Sequence, residues 1–366
     1  MKQFLKKFFE FFKNTTVRVI SLLLILCLIG GYFVFPEFYK AQWHKIQSFY
    51  YVYQGDKAYK RGKPQEAINN YTKALELHPK HVKARYNLAN LYVAYEDYYS
   101  ALENYEKALE LKPNFMTARI DYAIVLSEAT FNYDKAIKEY DTAIEKAPGW
   151  MYIPFIIDNK KTYKYNKGVA YYNQGLAWRG KSLLYGEEPY KTRKYLINAV
   201  NSYEKALKTL KEYDVHYNLG IANQLLRRNY AAGRNYCKAI EKEPMNYEAH
   251  YNLAILLKSM KKYSGSAEEF IKAGLLLDAK GDGNKTRYIY DVLNEVNQKL
   301  ALEDEYQNLV QKLNEEEINE GKVTYIGGKL VITEEFDKAM LKNFKTCSNK
   351  EMFYNEEDLE TLDEIE

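Results

Sequence analysis

A self-similarity of 34 residues constrains this chain more than any other feature. Ala67, Tyr71, Ala74 and Pro79 return 34 residues later as Ala101, Tyr105, Ala108 and Pro113. A fixed period of this length marks stacked helical units, none of which buries its apolar face alone. Each residue type has a reason to recur. Two antiparallel helices approach closely only where side chains are small, and an aromatic ring fills the space beside them. Proline ends the second helix because it cannot continue the hydrogen-bond ladder. With only 8 prolines and 18 glycines among 366 residues, long helices joined by short turns are expected.

The set persists along the chain. Repeat 1 (48–81) adds Gly55, repeat 2 (82–115) adds Ala89, and repeat 3 (116–150) carries Ala123, Ala136, Tyr140, Ala143 and Pro148. Repeat 5 (213–246) supplies Gly220, Ala232, Tyr236, Ala239 and Pro244; repeat 6 (247–280) supplies Ala254, Ser266, Phe270 and Ala273. On these residues the chain resembles the tetratricopeptide repeat (TPR) family over about two-thirds of its length. The resemblance implies an all-α superhelical solenoid of about six helix-turn-helix repeats.

Repeat 4 departs from the period. Reading Tyr165-Asn166-Lys167-Gly168 as its first helix and Ala199, Tyr203 and Ala206 as its second implies an insertion of 19 residues. With the apolar connection 151–164, this makes an irregular insert at 151–198 within a 48–280 array. Insertions in repeat proteins often map to binding faces.

The ends differ from the array. Val19 to Phe35 carries no charge, and with its flanks approaches the roughly 30 Å of a hydrocarbon core. An uncleaved transmembrane helix at 17–36 is expected, behind a basic amphipathic segment at 1–16 and ahead of a linker helix at 37–47. Lys2, Lys6, Lys7, Lys13 and Arg18 precede the run and only Lys40 and Lys45 closely follow it. This asymmetry predicts a single pass through an inner (cytoplasmic) membrane, with a cytoplasmic N-terminus and a periplasmic or extracytoplasmic array. Residues 281–316 read as a capping helix. In 317–350, Val323–Ile326, Gly327-Gly328 and Lys329–Ile332 read as a β-hairpin, followed by a short helix. Residues 351–366 hold eight acids and no base; taking them from the net charge of +4 leaves +12 on the rest. This acidic tail is expected to be mobile.

In the TPR family the fifth residue of each first helix usually faces the concave groove. Here that row reads Val52, Tyr86, Ile120, Tyr165, Tyr217 and Tyr251. Tyr86, Asn90, Tyr165, Tyr217 and Tyr251 are therefore the candidate partner-binding residues. Tyrosine offers apolar area with one hydroxyl, which suits an extended or helical peptide. The companions Asn87, Asn166, Asn218 and Asn252 also fit an ordinary repeat surface, and both readings stand. A clamp for a C-terminal carboxylate does not fit, because Asp56 and Asp121 fall at its cationic places.

No catalytic residue, cofactor or metal is expected. Gly175 to Ser182 matches the phosphate-loop expression but lacks its strand-loop-helix context, so a glycine-marked bend is expected. Residues 278–283 lack calcium ligands at the required places. His78 and His81 read as surface residues, His216 and His250 as packing. Cys27, Cys237 and Cys347 form no CxxC and leave the redox compartment open. No basic stripe suggests nucleic acid, and no small-molecule substrate is expected. The expected partners are other proteins, with the lipid bilayer engaged through 1–36. The leading function is a membrane-anchored, non-catalytic scaffold in assembly of a cell-envelope complex, whose architecture looks like the periplasmic flagellar collar TPR proteins. The alternative is a groove-binding receptor or co-chaperone for exported polypeptides.

Overall fold

A computed structural model describes residues 35–145, 159–300, 323–326, 329–332, 346–348 and 353. The expected segment at 1–16 and residues 17–34 of the transmembrane helix expected at 17–36 lie outside the described residues. Among those described, no helix is long and apolar enough to cross a membrane. The chain divides into two compact units, one through Val125 and one from Leu126 onward.

The first unit holds helices α1 (Pro36–Lys60), α2 (Pro64–Leu77), α3 (Val82–Ala94) and α4 (Tyr98–Leu111), and most of α5 (Met116–Glu128). The expected linker helix at 37–47 has no separate existence. It runs unbroken into the first repeat as α1, because nothing between Pro36 and Lys60 stops a helix. Ala67, Ala74, Ala101 and Ala108 are fully buried, and Tyr71 and Tyr105 nearly so. The glycine at position 55 is a packing requirement: a Cβ there would lie 2.5 Å from the Tyr71 ring.

The second unit continues with α6 (Tyr133–Glu145), α7 (Asn159–Leu184), α8 (Pro189–Leu207), α9 (Tyr213–Leu225), α10 (Asn229–Lys242), α11 (Tyr247–Ser259), α12 (Tyr263–Ala279) and α13 (Gly283–Leu300). Each helix of a pair packs on its mate, and α13 closes against α12. The capping helix thus spans 283–300, and 301–316 lies outside the described residues. β1 (Val323–Ile326) and β2 (Lys329–Ile332) pair antiparallel with Val323 opposite Ile332, and β2 lies against α12.

The tight turns inside the repeats repeat as well. Gly62, Glu96, Phe131, Arg227 and Lys261 all take φ between 54° and 70°, at intervals of 34 or 35 residues within repeats 1–3 and again between repeats 5 and 6. The left-handed residue is a property of the turn, and only repeat 1 fills it with glycine.

Repeat 4 needs a corrected register. Its small residue is Gly175, not Gly168: a Cβ on Gly175 would meet the Tyr203 ring at 2.5 Å, as at Gly55 on Tyr71 and Gly220 on Tyr236. The insert therefore lengthens α7 and α8 to 26 and 19 residues. Residues 151–158 lie outside the described residues. Gly175 to Ser182 is inside α7 and forms no bend. Gly180 lies on the Tyr133 ring, and the Lys181 ammonium pairs with the Asp134 carboxylate and sits 4.6 Å above the Tyr195 ring.

Two further expectations change. His81 is buried, not superficial. Its Nδ1 accepts the Ala84 N–H as the N-cap of α3, and its ring lies edge-on to Phe49 at 4.6 Å. The tail is not uniformly mobile either. Phe353 is buried over Gly233, where a Cβ would stand 2.1 Å from its ring, and Arg234 Nη1 donates to the Phe353 carbonyl at 2.8 Å. A disulfide between Cys237 and Cys347 fastens the 3₁₀ turn Thr346–Ser348 to α10. The remainder of 351–366 lies outside the described residues.

Candidate functional site

In the first unit, the expected row is largely turned to structural use. Val52 and Ile120 are buried, at 4% and 3% exposure. Tyr86 is half-buried, its ring 4.9 Å from Phe115, and its hydroxyl donates to Asp121 Oδ2 at 2.7 Å. Burial, assisted by the Asp121 charge, pushes the Tyr86 phenol up to about 12, and burial also raises the Asp121 carboxyl. Asn90 is exposed, and its amide oxygen accepts the Tyr105 hydroxyl at 2.5 Å. Asn87 donates to Asp56 at 2.8 Å, and Lys83 pairs with the same carboxylate. The two aspartates that argue against a carboxylate clamp are thus already engaged by neighbouring side chains.

In the second unit the tyrosine row is Tyr172, Tyr217 and Tyr251. Tyr165 is one heptad too early: it is half exposed, and Tyr172 holds the place three residues before the small residue. The Tyr-Asn pairs act as clasps between neighbouring repeats. Asn218 Nδ2 donates to the Tyr172 hydroxyl at 3.0 Å, and Asn252 Nδ2 to the Tyr217 hydroxyl at 2.8 Å. Arg179 from α7 orients Asn218 by donating to its Oδ1 at 2.6 Å. Each row ring also packs on the aromatic of its own repeat: Tyr172 on Tyr203, Tyr217 on Tyr236 and Tyr251 on Phe270, at 5.9 to 6.2 Å. The bland and functional readings of Tyr-Asn are therefore not exclusive. The clasp holds the Tyr172 and Tyr217 hydroxyls and leaves both rings partly exposed.

At the end of this row, α9, α11, α12 and α13 enclose a cleft of about 290 Å³. Tyr217, Tyr251 and Asn252 come from the repeats, and Lys285, Tyr288 and Ile289 from the cap; Tyr247 and Glu248 complete the rim. Burial first, then its neighbour Tyr288, pushes the Tyr251 phenol up to about 12; burial and the Glu248 charge do the same for Tyr217. These phenols therefore stay protonated across the physiological range. The cleft combines apolar ring faces with one carboxylate and one ammonium on the same rim. Such a surface suits a peptide side chain with a polar flank. Of the expected row, Tyr217 and Tyr251 line this cleft; the sequence reading did not name Tyr172, for which Tyr172-Asn173-Gln174-Gly175 is a readable signal, or Tyr288, which lies outside the repeat period.

Among the described residues, no three His, Cys, Asp or Glu side chains gather as for a metal ion. His250 is fully buried between Glu269 Oε2 at 2.6 Å and the Pro244 carbonyl at 2.8 Å, which makes it a packing residue as expected.

Residues 55–96 match the family model for the TPR repeat, and residues 82–115 match that for the tetratricopeptide repeat. The chain carries tetratricopeptide repeats. No functionally curated protein matches it. Among solved structures it is similar to Pseudomonas aeruginosa pilF, at 17% identity over 74% of this chain and 99% of that one, TM-score 0.47. It is also similar to PilW, a widely conserved type IV pilus biogenesis factor, at 13% identity over 72% and 98%, TM-score 0.47. A third is YrrB, a TPR protein with an unusual peptide-binding site, at 20% identity over 60% and 97%, TM-score 0.39.

Proposed function

We propose that this TPR array binds a peptide segment of a protein partner along Tyr172, Tyr217 and Tyr251. The cleft bounded by Tyr251 and Tyr288 takes one side chain of that segment. The observation that carries the reading is the cleft itself: four tyrosine rings, with Glu248 and Lys285 on the rim, at the end of a row clasped between repeats by hydrogen bonds. Binding occurs without turnover. The array acts as a scaffold, tethered through 17–36 to an inner membrane and facing the periplasm or cell exterior, in assembly of an envelope complex of the flagellar-collar kind. Two observations support that placement: the bias of basic residues before the apolar run, and the Cys237–Cys347 disulfide, which suits an oxidising compartment.

A photo-crosslinking residue at Tyr288 in the full chain, activated in intact cells, tests this. A discrete protein adduct at Tyr288, absent from the same label at the exposed Tyr99, is the expected result. Equal labelling at both positions overturns the groove reading. A ladder of many adducts instead favours the receptor for exported polypeptides, which would use the same cleft with lower selectivity.

A further inference from the structure

Helix α1 is apolar on both sides, which an end helix of a soluble array is not expected to be. One side is ordinary: Ser48, Val52, Gly55 and Ala58 are buried against α2. The opposite side carries Phe38, Trp43, Ile46, Phe49, Tyr50 and Tyr53, each between 55% and 61% exposed. At about 100° per residue these six fall within roughly 140° of arc and run about 22 Å along the axis. Among the described residues the neighbour on this side is the His81 ring at the N-cap of α3, which meets Phe49 alone, and α2 packs on the opposite side. At the other end of the array α13 closes the last repeat, so the two ends are built differently.

The geometry points to a second copy of this chain as the occupant: the α1 helices of two copies pack side by side and parallel in a two-fold dimer. Area comes first. Six large side chains more than half exposed offer roughly 600–800 Å² per copy, near the ~800 Å² per partner of a standard interface and above the largest patch on a typical monomer. Composition comes second, since Trp, Tyr and Phe are the residues enriched in interface centres. Charge argues against a helix lying on lipid. Such helices are rich in Lys and Arg, yet Pro36 to Tyr50 holds two lysines against one glutamate. Position comes last. In the anchored reading proposed above, Pro36 follows the apolar run directly, so two copies in one bilayer present their α1 helices in the same direction. A two-fold axis along the helices is the symmetry that this imposes.

The test uses the full chain with Cys27→Ala, reconstituted in phosphatidylcholine and phosphatidylglycerol vesicles. Single cysteines replace Ile46 or Tyr53 on the stripe, and Gln47 or Gln54 one residue beyond each. On mild oxidation Ile46→Cys and Tyr53→Cys should form disulfide dimers several-fold faster than Gln47→Cys and Gln54→Cys. Trp43→Glu, remote from the packed face, should abolish that difference. Equal rates at all four positions, or monomers throughout, overturn the proposal. So does quenching of a fluorophore at residue 46 by brominated lipid, which would give the stripe to the bilayer. The peptide groove is untouched by any of these results and stands or falls separately.

Discussion

At the scale of the residue, His81 shows how a local role makes a pH dependence. The sequence places it two residues after Pro79, in what reads as an exposed connection. It is instead the N-cap of α3, with Nδ1 accepting a backbone N–H, a task only the neutral ring can do. Burial, with the nearby His78 adding to it, lowers the His81 pKa below its ordinary 6.5. The sign follows. The contribution is fully present above pH 6.5 and is lost as pH falls from there toward the folded-state value. His81→Asn keeps the cap and removes the titration, whereas His81→Ala removes the cap and costs about 1 kcal/mol. Melting curves at pH 7.5 and 5.5 check this: the natural chain should lose more thermal stability between the two than His81→Asn does. Equal losses would show that the ring does not titrate in this range. The composition of the segment gave no warning of its burial, because capping depends on which nitrogen faces the helix end.

At the scale of the element, the repeat period carries most of the fold and fails where two registers compete. The second-helix alanines and aromatics that the 34-residue interval places in repeats 1, 2, 5 and 6 are all buried, because the spacing is itself the packing rule. Repeat 4 offers two similar strings, Tyr165-Asn166-Lys167-Gly168 and Tyr172-Asn173-Gln174-Gly175, seven residues apart. Two helical turns put both on nearly the same face, so periodicity alone cannot choose between them. Contacts across helices choose the second, since Gly175 meets Tyr203 and the Tyr172 hydroxyl receives Asn218. Removing that hydroxyl leaves the Asn218 amide with one fewer partner. Tyr172→Phe should therefore destabilise the second unit by about 1 kcal/mol, and Tyr165→Phe should leave it unchanged. Urea denaturation of the two variants decides it; equal effects would restore the earlier register.

At the scale of the whole molecule, the feature least legible in the sequence is the strap at the C-terminus. Cys237 and Cys347 lie 110 residues apart without a motif, and Phe353 sits beside the acids of a segment that composition alone assigns to solvent. Only the fold brings together the narrow channel over Gly233, the Arg234 guanidinium and the Glu268 carboxylate, which accepts the Thr346 N–H at 3.4 Å. Glu268 is itself largely buried, and burial raises its pKa. A crosslink closing so long a loop restricts the unfolded chain strongly, by up to about 4–5 kcal/mol in the entropic view. Reduction, or Cys347→Ser, should thus release Thr346–Ser348 and Phe353 while α10 and α11 keep their packing, because Tyr236, Leu253, Leu257 and most of the cluster that Phe353 joins come from these two helices. Hydrogen exchange read by residue tests this. The Thr346 and Cys347 amides should exchange much faster after reduction, with those of α11 nearly unchanged. Gly233→Ala separates the two fastenings: it displaces the Phe353 ring but leaves the disulfide, so exchange should rise only in part. Full protection of the Thr346 and Cys347 amides in the reduced chain would mean that the side-chain contacts suffice and the disulfide adds only to the stability of the whole.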